Sequence, residues 1–243
     1  MFSVILIQSE NSGNIGAIAR TMGNFDFKEL TLIDSKVEHL NDEALHRSKH
    51  AKSILKNAKI KPISYFQKKS KDNVFKDFDY VIAFTSVLGT DYNLIRTPIS
   101  PIKFIDTIDS KKKYALIFGR DGSGLTNKEI KECDFPVTIG TSKNYPALNL
   151  SHAVSIILYE IYKKFGKNDI INHIKDCDEL TKDVIIDKIN NIIDTMDFST
   201  NEKKETQHIV WKRTLAKAHL TKREAYAIMG FLNKLKKKQI NHD

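Results

Sequence analysis

Five short apolar runs, separated by longer amphipathic stretches, characterise the first 165 residues of the chain. These runs are rich in β-branched and aromatic residues, as is typical of strands that are buried on both faces of a parallel sheet. We predict strands at Ser3–Gln8, Leu30–Asp34, Tyr80–Thr85, Tyr114–Phe118 and Phe135–Ile139. We predict helices between and after them at Gly13–Asn24, Asp42–Asn57, Ile99–Asp106, Asn127–Cys133 and Leu148–Phe165. The alternation predicts an α/β fold with a mostly parallel sheet flanked by helices.

Beyond residue 165 the pattern is helical only. Isoleucines at helical spacing predict an amphipathic helix over Glu179–Met196, and two further helices follow at Glu202–His219 and Lys222–Lys238. Thr221 and Glu224 have the spacing of a capping box for the last helix. We therefore divide the chain into an α/β domain (1–165), an acidic helical linker (166–201) and a basic all-helical C-terminal extension (202–243).

Charge is distributed unevenly. The net charge is +9, and residues 206–243 contain nine Lys or Arg against two acidic residues. This excess indicates a polyanionic partner, since Lys and Arg neutralise phosphates in nucleic-acid complexes, although a lysine-rich proteome would give a similar net charge. No apolar run reaches the roughly 18 residues of a membrane span. Cys133 and Cys177 lack metal-ligand spacing, so we expect a cytoplasmic protein without a metal or a membrane partner.

Three segments that follow predicted strands carry glycine or asparagine where a ligand could bind. Asn11–Arg20 opens a helix whose glycine-rich first turn offers backbone amides to an anion. Phe118–Asn127 has three glycines within six residues, which let the backbone approach a ligand closely. Gly140–Ser151 leads into a helix that is apolar on most sides, as in a core or an oligomer interface. Taken singly, each segment also has a purely structural interpretation: a surface arginine in the first, an ordinary turn in the second and a helix cap in the third.

Together the three segments resemble motifs one, two and three of the SpoU-type (SPOUT) RNA ribose 2′-O-methyltransferases. The matching patterns, in order, are N-x-G-x-x-x-R, F-G-R-[ED]-x-x-G-L-T-N and Y-x-x-L-N-L-x-x-A-V. The forms G-L-T-N and Y-P-A-L-N-L-S are most similar to the TrmJ-like subgroup, which methylates tRNA in the anticodon loop. The resemblance covers about residues 2–162, with a weaker similarity in the C-terminal helices.

The resemblance implies a C-terminal trefoil knot in the α/β domain, S-adenosylmethionine bound in that knot, and an obligate homodimer through the first and last helices of the domain. It implies that Arg20 and Asn11 are catalytic positions, with Gly16 shaping their loop. The implied cofactor contacts are Thr85, Ser86, Gly119, Arg120, Gly124, Ile139, Leu148 and Asn149. The candidate RNA contacts are His46, Arg47, Lys49, His50, Lys52, Arg120, Lys212, Arg213, Lys217, Lys222 and Arg223, although many single lysines are simply solvated surface residues.

We therefore expect a tRNA ribose 2′-O-methyltransferase that converts S-adenosylmethionine to S-adenosylhomocysteine, with cytidine or uridine at nucleotide 32 as the target implied by the resemblance. A ribose methyltransferase acting on rRNA or on another tRNA position is the alternative within the family. A catalytically weak RNA-binding protein on the same fold is the alternative from another class. A Rossmann-type oxidoreductase is disfavoured, because no G-x-G-x-x-G with an acidic partner is present.

The role of Arg20 and two departures from the family pattern stay open at this point. Arginine is normally fully protonated, so we favour a role in binding phosphate or stabilising an alkoxide over a role as a base. Asp121 occupies a position that is usually Glu, and Ala147 occupies one that is commonly Ser. The contacts made by these two side chains therefore do not follow from the resemblance.

Overall fold

The computed structural model describes residues 1–86, 97–167 and 174–240. The chain separates into two compact units, Met1–Lys167 and Asn168–Asp243. The segment that we predicted to be an acidic linker, 166–201, therefore falls largely in the same unit as the basic extension.

The first unit contains a six-stranded sheet with strand order β3-β2-β1-β5-β4-β6, and every described ladder is parallel. The strands are β1 (Phe2–Ile7), β2 (Glu29–Ile33), β3 (Lys59–Lys61), β4 (Tyr80–Phe84), β5 (Tyr114–Phe118) and β6 (Phe135–Val137). The predicted α/β class is confirmed, and five strands lie where the apolar runs placed them. We missed β3, because an edge strand with the sequence Lys-Ile-Lys has no apolar run.

Helices cover both faces of this sheet. They are α1 (Ser12–Asn24), α2 (Asp42–Ser48), α3 (Lys52–Lys56), α4 (Val74–Asp77), α5 (Pro101–Asp106), α6 (Asn127–Glu132) and α7 (Leu150–Phe165), with 3₁₀ turns at Lys49–Ala51 and Ile63–Phe66. The prediction of one helix over Asp42–Asn57 was wrong. Lys49 adopts φ 50° and ψ −115°, a conformation that no α-helix contains, and so α2 ends there.

Close packing of α1 against α2 depends on Gly16. A Cβ atom built on Gly16 would lie 2.3 Å from the carbonyl oxygen of Ala44, and a backbone atom cannot move aside cheaply. On its other side α1 contacts α7, where the hydroxyls of Thr21 and Ser155 lie 2.9 Å apart. These two contacts fix the position of α1, and with it the loop that precedes α1 at the carboxyl end of β1.

The described part of the second unit consists of α8 (Glu179–Asp194), α9 (Asn201–Lys217) and α10 (Lys222–Ile240). Their buried side chains form one cluster that includes Ile185, Ile189, Ile193, Leu215, Ala225 and Leu232. The predicted capping box is present: Glu224 N donates to Thr221 Oγ1 over 3.3 Å, and Thr221 N donates to Glu224 Oε2 over 2.8 Å. Among the described helices of both units, none combines the length and the apolarity needed to cross a membrane.

Candidate active site

The loop Gly119–Gly124 leaves the carboxyl end of β5 and closes on itself. Arg120 N donates to Gly124 O over 3.2 Å, and Gly124 N donates to Arg120 O over 3.1 Å. Gly124 has a φ of +66°, and a Cβ atom on Gly119 would lie 2.2 Å from the carbonyl carbon of Gly124. The closed loop therefore requires glycine at both positions, at Gly124 for its conformation and at Gly119 for close approach.

The guanidinium of Arg120 holds this loop to its neighbours. Its Nε donates to Gln8 Oε1 over 2.7 Å and one terminal nitrogen donates to the same oxygen, while Gly124 O accepts over 3.1 Å. The carboxylate of Glu129 accepts two further hydrogen bonds, over 2.9 and 3.1 Å. All five N–H groups of the guanidinium thus have an acceptor. This geometry gives no support to the predicted phosphate contact by the Arg120 side chain, which has no donor left to offer.

The Arg120–Glu129 pair is charged and mostly shielded from solvent, with 16% and 12% of the two side chains exposed. Hydrogen bonding to Glu129 raises the pKa of Arg120 above its ordinary value. Burial alone would raise the pKa of Glu129, but the hydrogen bonds from Arg120 and from the backbone of Thr126 outweigh burial and lower it. Because Glu129 also completes the capping box of α6 with Thr126, one carboxylate stabilises both the loop and the helix that follows it.

Asp121 connects the glycine loop to the start of α1. Its Oδ2 accepts from Glu10 N over 2.9 Å, and its Oδ1 accepts from Asn14 Nδ2. The Oδ1 atom of Asn14 in turn accepts from Asn149 Nδ2 over 3.2 Å. A single amide side chain, that of Asn14, therefore joins all three of the segments that the sequence singled out.

Asn11 and Asn149 both act as helix caps. Asn11 Oδ1 accepts from Asn14 N over 2.9 Å, and Asn149 Oδ1 accepts from Ser151 N over 2.9 Å. We had predicted a catalytic role for Asn11, whose side-chain oxygen the structure commits to capping α1. We missed Asn14, although the pattern N-x-G-x-x-x-R begins at this residue and ends at Arg20. That spacing was the signal that could have identified it.

A cavity of about 200 Å³ lies at the carboxyl ends of β4, β5 and β6. Seven of the eight predicted cofactor contacts line it, namely Thr85, Ser86, Gly119, Arg120, Gly124, Ile139 and Leu148. The eighth, Asn149, caps the helix next to it. These segments meet here because the carboxyl ends of parallel strands share one edge of the sheet.

The lining of this cavity combines apolar side chains with polar residues such as Thr85, Asp121 and Ser123. Phe84 and Phe118 stack with ring centroids 4.6 Å apart, and Ile139 and Leu148 add aliphatic surface. Such walls suit a flat heterocycle whose edges bond to backbone groups. The volume is below the roughly 300–1,000 Å³ of most ligand sites, and residues 87–96, which follow Ser86 directly, lie outside the described part of the chain.

Arg20 does not line this cavity. It lies six residues beyond Asn14, or about 9 Å along the helix axis, and faces a separate cleft of about 620 Å³ between α1 and the segment 48–57. Its side chain is exposed, and within the described ranges it has no acceptor or carboxylate partner. Within one chain, the structure thus leaves the predicted catalytic arginine apart from the predicted cofactor contacts.

Apart from Arg120, the predicted RNA contacts are exposed and belong to both units. In the first unit Arg47 pairs with Glu43 at 3.3 Å, Lys49 lines the Arg20 cleft and Lys52 lies on α3. In the second unit α9 carries Lys212, Arg213 and Lys217, and α10 carries Lys222 and Arg223. Across the residues that the structure describes, no group of His, Cys, Asp or Glu side chains could hold a metal ion.

Comparisons with known proteins agree with these features. Residues 1–159 match the family model described as the SpoU rRNA Methylase family. The chain is 40% identical over 232 residues to the tRNA (cytidine-2′-O-)-methyltransferase TrmJ of Methanocaldococcus jannaschii, covering 95% of this chain and 97% of that relative. It is 30% identical to the protein of the same name from Sulfolobus acidocaldarius, covering 96% and 92%. The crystal structure of TrmJ from Z. mobilis ZM4 has a TM-score of 0.65 at 21% identity, covering 97% of this chain and 99% of that one, which supports the fold.

The glycine loop yields a matched pair of substitutions. Gly119→Ala places a Cβ atom 2.2 Å from the backbone of Gly124, so we expect a loss of about 1–3 kcal/mol in unfolding free energy. Gly122→Ala meets no atom within 4 Å and should stay within about 0.5 kcal/mol of the unchanged protein. Urea denaturation measures both values, and equal losses in the two variants would contradict the closed loop.

The lowered pKa of Glu129 predicts a pH dependence of stability. Its charge stabilises the folded state above the ordinary pKa of 4.5, and this contribution is lost as the pH falls through the lower folded-state pKa. Glu129→Gln should therefore be less stable than the unchanged protein at pH 7 and should lose less stability on acidification below about pH 5. Urea denaturation from pH 7 to pH 3 tests this, and parallel curves for the two proteins would refute it.

Proposed function

The chain belongs to the SpoU methylase family, and on this basis we propose that it transfers a methyl group from S-adenosylmethionine to a ribose 2′-hydroxyl of tRNA. The observation that carries the proposal is that the second and third motifs line one cavity and that Asn14 joins the first motif to both of them. The two relatives that match nearly the whole chain, including its C-terminal helices, are named tRNA (cytidine-2′-O-)-methyltransferases. We therefore propose tRNA as the substrate, with cytidine 32 ahead of uridine 32 as the target.

The cavity residues fit the cofactor. Gly119 lines the cavity through its backbone, and the apolar side chains of Ile139 and Leu148 suit an adenine ring. Thr85, Ser86, Arg120 and Gly124 would contact its edges, where Arg120 O, which accepts from Gly124 N, has a second lone pair to offer. Asn149 would support the loop from beside it. We also propose that the segment after β6 forms the trefoil knot around this cavity.

S-adenosylmethionine, when bound, supplies a methyl group that is activated by its sulfonium. The protein's part is then to hold the ribose oxygen in line with that methyl group and to assist removal of its proton. Arg20 suits the electrostatic side of this task, because an exposed guanidinium can bind a neighbouring phosphate and stabilise a developing alkoxide. Closed by Arg120 and Asp121, the glycine loop keeps one wall of the cavity rigid.

The separation of Arg20 from the cavity leads us to propose a homodimer through α1 and α7, in which two protomers complete the active site. The surface of these helices supports this proposal. Phe25, which follows α1, packs against Tyr159 and Tyr162 of α7 with centroid distances of 5.8 and 5.5 Å. On α7, Ile156 is 36% exposed and Tyr159 is 48% exposed. Burial of such residues is a common source of stability in homodimers.

The exposed cations would position the RNA through its phosphates without reading its sequence. We propose this role for Arg47, Lys49 and Lys52 in the first unit, and for Lys212, Arg213, Lys217, Lys222 and Arg223 in the second. The description of the matching family names rRNA, which makes an rRNA ribose methyltransferase the second candidate. A catalytically weak RNA-binding protein is a third candidate, against which the exposed Arg20 side chain argues.

Transfer of a labelled methyl group from S-adenosylmethionine to tRNA tests the function and the role of Arg20. We expect Arg20→Ala to lower the transfer rate at least about 100-fold while leaving cofactor binding intact, because Arg20 does not line the cavity. Lys111→Ala changes an exposed lysine away from both sites and serves as the control.

Mass spectrometry of the tRNA nucleosides then identifies the methylated residue. Intact turnover by Arg20→Ala would refute the role of the arginine. If the unchanged protein labels rRNA and leaves tRNA unlabelled, the second candidate replaces the first.

The bridging role of Asn14 gives a separate prediction. Asn14→Ala leaves Asp121 and Asn149 without their shared partner, so we expect weaker S-adenosylmethionine binding, by roughly 5- to 30-fold. Asn14→Asp should bind more weakly still, since it puts a second negative charge beside Asp121. Isothermal titration calorimetry measures both affinities.

Asn11→Ala provides the comparison, because it removes a cap of α1 and leaves the bridge in place. We expect Asn11→Ala to lower the unfolding free energy by about 1 kcal/mol. Its effect on S-adenosylmethionine affinity should be smaller than that of Asn14→Ala. The opposite order, with a large loss of affinity for Asn11→Ala and none for Asn14→Ala, would refute the bridging role of Asn14.

A further inference from the structure

The cleft that Arg20 faces has a lining with an excess of positive charge. Besides Arg20, its charged lining groups are Lys28, Lys49 and Asp26, and His50 adds a titratable ring. Three cations against one carboxylate favour an anion, and a volume of about 620 Å³ leaves room for a nucleotide-sized group. The lining thus points to a ligand with negative charge.

Lys49 has a backbone conformation that a side chain rarely adopts. With φ 50° and ψ −115°, it occupies a region that is favoured only by glycine, and it does so at the break between α2 and α3. Ser48 before it is buried, and its hydroxyl donates to the carbonyl oxygen of Leu45 over 3.0 Å. Such strain persists where the surrounding structure imposes it, and strained positions cluster at binding sites. Glycine would be favoured here unless the lysine side chain contributes something.

Cations of the cleft lack the carboxylate partner that the neighbouring Arg47 has. Arg47, two residues before Lys49, is paired with Glu43. The Lys49 ammonium lies 3.4 Å from His46 Nε2 and has no carboxylate partner in the part of the chain that the structure describes. The guanidinium of Arg20 is equally unpaired within those residues. Arg20 and Lys49, on facing walls of one concave surface, are therefore both available to an anion.

We propose that this cleft binds a backbone phosphate of the substrate RNA beside Arg20, and that Lys49 is the residue that positions it. The inference rests on the proposed function and adds a phosphate subsite to it. The fork of Arg20 suits bidentate contact with phosphate oxygens, and the Lys49 ammonium adds a point charge on the facing wall. A phosphate held there would place the adjoining ribose relative to Arg20.

Lys49→Gly tests the proposal, since it removes the charge and the strain together. We expect the melting temperature to rise by about 2–4 °C, the KM for tRNA to rise at least tenfold, and kcat and the S-adenosylmethionine Kd to change less than twofold. Lys49→Arg should have a KM for tRNA within threefold of that of the unchanged protein, because it keeps the charge. Lys49→Asn, which removes the charge but keeps a side chain at this strained position, should match Lys49→Gly in the KM for tRNA without the rise in melting temperature. Lys56→Ala, an exposed lysine of α3 that does not line the cleft, is the matched control and should leave the KM unchanged.

Direct tRNA binding as a function of salt separates this inference from the proposed function. A lost phosphate contact should reduce the slope of log Kd against log salt by about one in Lys49→Gly. If the unchanged protein methylates tRNA and Lys49→Gly matches it in KM and in salt slope, the subsite is refuted and the function stands. If the unchanged protein transfers no methyl group to any RNA and the slope still falls by about one, the function is refuted and the subsite stands.

Discussion

The candidate site depends on the closure of the Gly119–Gly124 loop, and the Arg120 guanidinium is the group that holds it closed. Gln8, at the end of β1, receives two of its hydrogen bonds and itself donates to Asp34 at the end of β2 over 2.6 Å. Glu129 receives two more from the other side. The carboxyl ends of three strands and the start of α6 are thereby connected through one partly buried cation. A cation that is largely shielded from water is destabilising unless it is paired, so this network favours a single loop conformation.

Charged residues of the first unit have two different roles: some maintain the shape of the cavity, and others are available to bind an anion. The Arg120–Glu129 pair is shielded and internally satisfied, and it maintains the shape of the cavity wall. Arg20 and Lys49 are exposed and lack carboxylate partners among the described residues, so they remain available to an anion. A positive residue within a family motif is therefore weak evidence of ligand contact by itself. Its hydrogen-bond partners decide whether it shapes the site or binds the substrate.

The sequence was sufficient for those parts of the fold that burial determines. Strands β1, β2, β4, β5 and β6 lie where apolar runs predicted them, because strands covered on both faces must be apolar. Contacts that join distant segments could not be predicted in this way. The Arg120–Gln8 contact spans 112 positions, and the Asn14–Asp121 bond spans 107. The break at Lys49 was missed because its residues favour a helix locally, and only tertiary packing imposes the positive φ.

A division of the site between two protomers follows from the position of Arg20 if the proposed dimer forms. One chain would then contain the cofactor cavity, since Asn14, Asp121 and the Gly119–Gly124 loop are joined within it. It would lack an arginine at that cavity, because its own Arg20 faces the cleft between α1 and the segment 48–57. Cofactor binding would then need only a folded chain, whereas methyl transfer would need assembly. The packing of α1 against α2 at Gly16 sets where Arg20 lies, so a glycine remote from the cofactor would determine whether the two halves of the site can meet.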